Sequence, residues 1–298
     1  MLRSSQIGVA TGTLLKRLWR SDGLWADKLQ RAALLVTAGQ VRAASLAQDY
    51  AASQGATGDL ELVPAAFGGL ASDGRPLASL MTGAAVAANT AAARASGGRF
   101  PLLKYGSVPQ QRAAMNAEAE RAAQAWLLMM ARTQVADAGR AAVRSSMAAY
   151  DMSGVRLANP PCCGRCAILA GRVYHWSAGF KRHPGCDCTV QPSKSGNYIA
   201  EGDDIPLDQI RGLSKADRQA VEMGADLQRV VNAQRGMYSA EVYGKRVKAT
   251  FDSTKHKDSL FPVRDNTRTV RLRPESILQH ATDQPDAVRL LTKYGYIK

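Results

Sequence analysis

Long hydrophobic runs are missing from this chain of 298 residues. A bilayer-spanning helix needs about 20 consecutive, mostly apolar residues, and every apolar stretch here is interrupted sooner by glycine or charge. The first ten residues include Arg3 but no apolar segment followed by a cleavage site, so no secretory signal is expected. These absences predict a soluble protein that has no membrane partner, is synthesised in the cytoplasm and is not exported.

Aromatic residues are scarce as well. They make up 6% of the chain, whereas alanine supplies much of the 46% hydrophobic content. Alanine favours helices that pack closely, and a shortage of large side chains argues against one large globular core. The predicted fold is therefore mainly α, with an elongated helical domain.

Catalytic signatures are the third absence. The sequence contains no His-Glu-x-x-His, no Gly-x-Ser-x-Gly and no Walker loop. The remaining enzymatic hypothesis is a zinc-stapled nuclease with His175 or His183 as general base, and Asp187 is the one carboxylate between residues 163 and 188. We therefore expect no enzyme and no catalytic or cofactor-binding residues, with the nuclease as the alternative.

What the chain does have is a cluster of thiols. Four of its five cysteines and two of its four histidines, His175 and His183, lie between residues 163 and 188. A Cys-x-x-Cys turn presents two thiolates to one point, and Cys-x-Cys on an extended segment places both side chains on one face. Tetrahedral zinc takes four such ligands, and the five candidates are Cys163, Cys166, His183, Cys186 and Cys188.

Disulfides and free buried thiols are the alternatives to a metal site. The chain is not a short secreted scaffold, so the pattern favours zinc, and a thiolate-rich set favours a closed structural site. The meeting of the two cysteine pairs would close a hairpin, with Cys162 left over. Tyr174, Trp176 and Phe180 are expected to pack over it, whereas the neighbouring Lys181 and Arg182 are expected to stay exposed and able to touch DNA.

Periodicity predicts the helices. One or two helices are expected over 11–53, broken at Gly23 or Gly39, then a glycine- and proline-rich loop and an alanine helix over 77–95. The proline-free run 110–150 predicts one helix of roughly 60 Å, on which Asp137 and Arg140 are interpreted as an ordinary helix-face pair.

The remaining pattern fits an α+β region. Ser214 and Asp226 are predicted to open two short helices, residues 237–251 a hairpin, and 274–281 and 285–294 two final helices. The predicted domains are an alanine-rich helical region (1–109), a spine helix (110–156), a zinc-hairpin α+β module (157–200) and a C-terminal α+β region (201–298).

Net charge is +14, and the basic excess favours a polyanionic neighbour such as DNA or an acidic protein surface. Arginines on solvated helix faces would give the same count. Charge alone does not decide between these interpretations.

Several segments together resemble a known family. The motifs Cys-x-x-Cys-x-x-Leu-Ala-Gly at 163–171 and His-Pro-x-Cys-x-Cys at 183–188 are similar to the signature of MuF-like minor head proteins of tailed bacteriophages, particularly forms from actinobacterial phages. The helix segment 132–140, the stretch 213–236 and the terminal Leu-Leu-x-x-Tyr-Gly-Tyr at 290–296 fit the same family. The resemblance covers about 130–298, and Gln134 departs from it where part of the family has an acidic residue.

The resemblance implies a minor structural protein of the phage head. Such a protein would lie in the head interior of the virion, contact the portal and other head proteins, and take part in head assembly, with non-specific contact to packaged DNA as a further expectation. A zinc-containing DNA-binding regulator is the alternative from another class. Its compact recognition helix is not evident in the sequence.

Overall fold

The structure is a computed structural model that describes residues 2–58, 61–95, 108–179, 182–183, 186, 188–194, 205–234, 237–242, 245–251, 264–265 and 268–298. The predicted mainly helical fold is confirmed, with small antiparallel sheets beside the helices. The chain divides into two compact units: unit 1 comprises Met1–Leu157 and Gly171–Ala200, and unit 2 comprises Ala158–Ala170 and Glu201–Lys298. Among the described residues, every helix is too short or too polar to cross a bilayer.

Within the described ranges the α-helices are α1 (Leu2–Arg20), α2 (Trp25–Ser53), α3 (Leu77–Met81), α4 (Gly83–Ala95), α5 (Val108–Ala149), α6 (Gly164–Ala167), α7 (Lys215–Glu222), α8 (Leu227–Asn232), α9 (Pro274–His280) and α10 (Gln284–Lys293). The strands are β1 (Ser153–Leu157), β2 (Cys162–Cys163), β3 (Val173–His175), β4 (Thr189–Ser193), β5 (Ile210–Arg211), β6 (Met237–Val242), β7 (Lys245–Phe251), β8 (Arg264–Asp265) and β9 (Arg268–Leu272). The predicted domain boundaries stay predictions.

Helix α5 organises unit 1. It runs for 42 residues, which confirms the predicted long helix, and it packs against α1, α2 and α4. Its buried face is made largely of small and medium side chains, which let neighbouring helices approach closely. The buried residues at this face include Ala123, Leu127, Ala131, Val135, Ala138 and Ala142.

Two glycines explain where the helix predictions succeed and fail. The predicted break at Gly23 is confirmed, since this residue has φ of 126° between α1 and α2. The alternative break at Gly39 is wrong, because Gly39 lies inside α2. A Cβ at Gly39 would lie 2.7 Å from the Thr11 hydroxyl and 2.9 Å from a Val135 methyl, so this glycine permits helix contact and makes no turn.

The predicted helix over 77–95 is confirmed in its bounds, but it is divided at Thr82 into α3 and α4. The first residue of α4, Gly83, lies against the indole of Trp126 on α5. A Cβ at that position would be 2.2 Å from the ring. Glycine therefore sets how closely α4 and α5 approach.

The sheet of unit 1 is antiparallel, in the order β3-β1-β4. Ser153 of β1 is opposite His175 of β3 on one side and Ser193 of β4 on the other. The expectation that the cysteine segments close a simple hairpin is therefore wrong, because the upstream strand β1 pairs with both β3 and β4 and lies between them.

Unit 2 follows the predicted helix signals closely. Ser214 and Asp217 form a capping box at α7, Asp226 caps α8, and Asp283 caps α10. The predicted hairpin is confirmed as β6 and β7, and its turn at 243–244 lies outside the described residues. Strands β8 and β9, which extend this sheet in the order β6-β7-β9-β8, and the parallel pair β2–β5 were not predicted.

Candidate metal centre

The first cysteine pair lies where a short strand meets a helix. Cys163 ends β2 and is the N-cap of α6, where its Sγ accepts a hydrogen bond from the Cys166 backbone N–H at 3.4 Å. Gly164 between them contacts Val231, and a Cβ there would lie 2.9 Å from a valine methyl. The turn predicted from the Cys-x-x-Cys spacing is confirmed. It leaves Cys166 buried and Cys163 half-buried.

The second pair precedes β4. The Cys186 backbone N–H donates to the His183 carbonyl at 3.1 Å, and β4 begins directly after Cys188 at Thr189, which pairs with Leu157 of β1. Both thiols are buried, whereas His183 is exposed. Strand pairing thus fixes the chain immediately beyond Cys188.

The ligand atoms form two groups in which all members lie within 4.8 Å of one another. One group contains Cys163, Cys166 and His183, and the other contains Cys166, Cys186 and Cys188. All five predicted ligands therefore belong to a group that is positioned to hold a metal ion, and Cys166 belongs to both. The identity of the metal and the choice of four ligands stay predictions.

A buried arginine from α5 holds the backbone of the second pair. Arg140 donates from Nη2 to the Cys186 carbonyl at 2.7 Å and from Nε to the Cys188 carbonyl, and its Nη1 lies 3.0 Å from Asp137 Oδ1. The predicted helix-face pair of Asp137 and Arg140 is confirmed, and the two side chains are only 9% and 8% exposed. Sequence spacing predicted the contact but not its burial, which depends on what packs against the helix.

Asp137 also forms an ion pair with Arg182, one residue before His183. The expectation that Arg182 stays exposed was wrong, since its side chain is 15% exposed. Burial lowers the pKa of this guanidinium, and a coulombic interaction with Cys186 opposes the shift. The carboxylate of Asp137 therefore forms ion pairs with both Arg140 and Arg182.

A third arginine, which sequence analysis missed, faces the thiols. Arg156 of β1 is 1% exposed, and its Nη2 lies 3.6 Å from Cys188 Sγ and 3.9 Å from Cys186 Sγ. Arginine keeps its proton in proteins, and a buried charge requires compensation. Thiolate sulfurs, as in metal-bound cysteines, would contribute to that compensation. The sequence around Arg156 does not predict that it lies beside the thiols. Arginine is almost never fully buried unless it is paired, so a buried position would not be expected from sequence alone.

The other candidate residues lie apart from this chemistry or outside the described part. His175 is exposed, with Nδ1 2.8 Å from the Ser177 hydroxyl and Nε2 3.9 Å from Asp151. Trp176 donates to Asp151 and packs against a hydrophobic cluster in unit 1. Cys162 is buried in β2. Phe180, Lys181 and Asp187, for which sequence analysis predicted roles, lie outside the described residues.

Comparison with known proteins gives one similarity. The model of a family described as VG15 protein, a viral gene 15 family, matches residues 101–208, somewhat more than a third of the chain. The matched region contains α5, β1 and the whole cysteine window. No curated protein and no solved structure matches the chain. The similarity suggests a phage protein, and it does not specify a MuF-like minor head protein.

Proposed function

We propose that this protein is a minor structural protein of a bacteriophage head, associated with the portal or the capsid interior and acting in head assembly. The observation that carries the proposal is the similarity to the viral VG15 family over 101–208. That region includes the long helix α5 and every predicted metal ligand, so the matched segment contains the whole candidate metal centre. The proposed partners are the portal and other head proteins.

The chemistry of the cysteine groups supports a structural metal site. The donors are mainly thiols, and three of them, Cys166, Cys186 and Cys188, are buried. Such sets are typical of closed tetrahedral zinc, whereas catalytic zinc keeps a position open for water. A bound zinc would supply coordination bonds that order the segments carrying its ligands.

The residues around the thiols have separable roles in this proposal. Arg140 fixes the carbonyl groups of Cys186 and Cys188, and Asp137 orients Arg140. Arg156 places positive charge beside two sulfurs. Both interactions favour thiolates in a fixed arrangement, as the outer partners of metal ligands generally do. Because a closed zinc site leaves no position for a catalytic water, we propose that the protein is not an enzyme.

The decisive test is the composition of the particle. Mass spectrometry of purified, DNA-filled virions should find the protein at a few copies per particle. In a phage complementation assay, Cys166→Ser should impair assembly, whereas His175→Ala, which alters an exposed side chain, should leave it intact. Absence from purified particles, or normal heads that lose infectivity with His175→Ala, would overturn the proposal, the second result in favour of the nuclease.

The metal is tested separately on purified protein. Elemental analysis should find about one zinc per chain, as expected for a single tetrahedral site. Cys166→Ser should lose the metal, and Cys162→Ser, which alters the adjacent buried thiol outside both groups, should retain it. Metal-free protein with all five thiols open to alkylation would contradict the structural zinc site.

Contact with packaged DNA belongs to the proposal as a non-specific interaction. The net charge of +14 provides attraction to phosphate, and such binding falls steeply with salt. Titrations of duplexes of different sequence at two salt concentrations should give similar, salt-sensitive affinities. Tight, sequence-selective binding at high salt would instead support a DNA-binding regulator.

A further inference from the structure

Unit 1 contains a cleft of about 420 Å³ beside α5, distinct from the thiols. Its lining includes Ala141 and Arg144 of α5 and residues of the loop that follows the short 3-10 turn Pro64–Phe67. Arg182 and Val190 also line it. This volume is in the range of pockets that bind small molecules or a few side chains.

The loop that lines the cleft is held in place by two buried glutamines. Gln40 of α2 donates to the Leu70 carbonyl at 2.8 Å and accepts from the Gly69 backbone N–H at 3.0 Å. Gln134 of α5 accepts from the Ser72 backbone N–H at 2.8 Å. Helix and loop are thereby tied together by side chains that are at most 4% exposed. The cleft is therefore built before any ligand arrives.

The charge of the cleft is unbalanced. Arg140, Arg144 and Arg182 line it, and Asp137 is the one carboxylate among its described lining residues. Arg182 Nη1 is buried without a hydrogen-bond acceptor in the part of the chain that the structure describes. Arg144 is exposed and donates a hydrogen bond to the Trp176 carbonyl at 3.1 Å. Both guanidinium groups have donors left for a negatively charged ligand.

The cleft is also partly apolar. Phe67, Leu70 and Val190 contribute side chains to its lining, and Leu70 is 52% exposed. Phosphate groups of a DNA duplex gain nothing from such a surface, and a duplex is too wide to enter a cleft of this size. An aliphatic or aromatic side chain flanked by carboxylates matches both features, because its apolar part covers Leu70 while its charges meet the arginines.

We propose that this cleft binds an acidic peptide segment of another head protein, with an apolar anchor residue beside one or more carboxylates. The proposal rests on the proposed function for the identity of that partner as a head protein. The charge and lining of the cleft supply the chemistry of the segment. The anchor occupies the space beside Leu70 and Ala141, and the carboxylates bind Arg144 and Arg182.

Fluorescence polarisation with labelled peptides of about ten residues tests the proposal. The probes carry one Leu or Phe anchor flanked by Asp and Glu, and matched probes replace these acids by Asn and Gln. The acidic probes should bind the full-length protein and the amide probes should not. Arg144→Gln should weaken binding on the order of tenfold, as expected for one charge-assisted contact. Ala141→Trp, which fills the cleft, should abolish it.

Arg132→Gln is the matched control, since Arg132 is an exposed arginine on the same helix outside the cleft. It should bind like the unaltered protein, and circular dichroism should show all variants folded. Equal binding of acidic and amide probes, no binding of any acidic probe, or no effect of Arg144→Gln would overturn the proposal. Undiminished binding of the acidic probes by folded Ala141→Trp would also overturn it, because the peptides would then bind elsewhere.

The two proposals fail separately. Protein found in virions but unable to bind acidic peptides would overturn the cleft proposal alone. Peptide binding by a protein absent from virions would support an acidic-peptide site in the cleft but overturn the proposed function.

Discussion

Replacing Asp137 by Asn tests the buried charge network most directly. Asparagine has nearly the same shape as aspartate, so the change removes charge without opening a cavity. Arg140 and Arg182 would then share no carboxylate, although both are largely buried. Breaking a buried ion pair by removing one partner costs about 3–5 kcal/mol, because the remaining charge is uncompensated. We expect a loss of that size in the free energy of unfolding of unit 1.

Unit 1 can be followed selectively. All four tryptophans, at positions 19, 25, 126 and 176, belong to it. Tryptophan fluorescence during urea or thermal unfolding therefore reports this unit. At about 2–4 °C per kcal/mol for a domain of this size, the midpoint temperature should fall by roughly 6–20 °C.

The control is Asp151→Asn, the same chemical change at a side chain that is 88% exposed. It should alter stability by less than about 0.5 kcal/mol, as surface substitutions usually do. A loss for Asp137→Asn no larger than that of the control would refute the idea that the network depends on this carboxylate. A double-mutant cycle adds a second check: Arg140→Met should cost less when combined with Asp137→Asn than in the unaltered protein, and additive losses would show that the pair is not coupled.

Three further predictions concern other sites. Gly83→Ala should lower the stability of unit 1 by about 1–3 kcal/mol in the same fluorescence assay, because its methyl group would collide with Trp126, and unchanged stability would contradict that contact. Burial raises the pKa of Tyr296, so its hydroxyl stays a hydrogen-bond donor, and Tyr296→Phe should cost unit 2 about 1–2 kcal/mol by calorimetry. In elemental analysis, His183→Ala should retain zinc whereas Cys188→Ser should lose it, and the reverse result would place histidine in the ligand set.

The elements that sequence predicted well are those fixed by neighbouring residues. The capping box of Ser214 and Asp217 and the positive φ of Gly23 depend on a few adjacent positions, so they can be predicted from sequence. Gly39 is also a glycine but lies inside a helix. Its role is to allow close contact with Thr11 and Val135, which come from distant segments of the chain. The insertion of β1 between β3 and β4 is likewise a pairing between segments far apart in sequence, which local patterns do not specify.

The same distinction separates the thiols from the residues that surround them. Cys163, Cys166, Cys186 and Cys188 are recognisable because metal ligands repeat at short intervals, whereas the arginines near the second pair come from α5 and β1. Their charges nevertheless bear on the ligand set. Arg140 and Arg182 both pair with Asp137, whereas the guanidinium of Arg156 lies beside the sulfurs of Cys186 and Cys188. Four thiolates on a divalent ion carry two negative charges, and replacing one thiolate by a neutral imidazole leaves a single negative charge. Because the positive charge of Arg156 favours the more negative ligand set, we expect the four cysteines to bind the metal in preference to a set that includes the exposed His183.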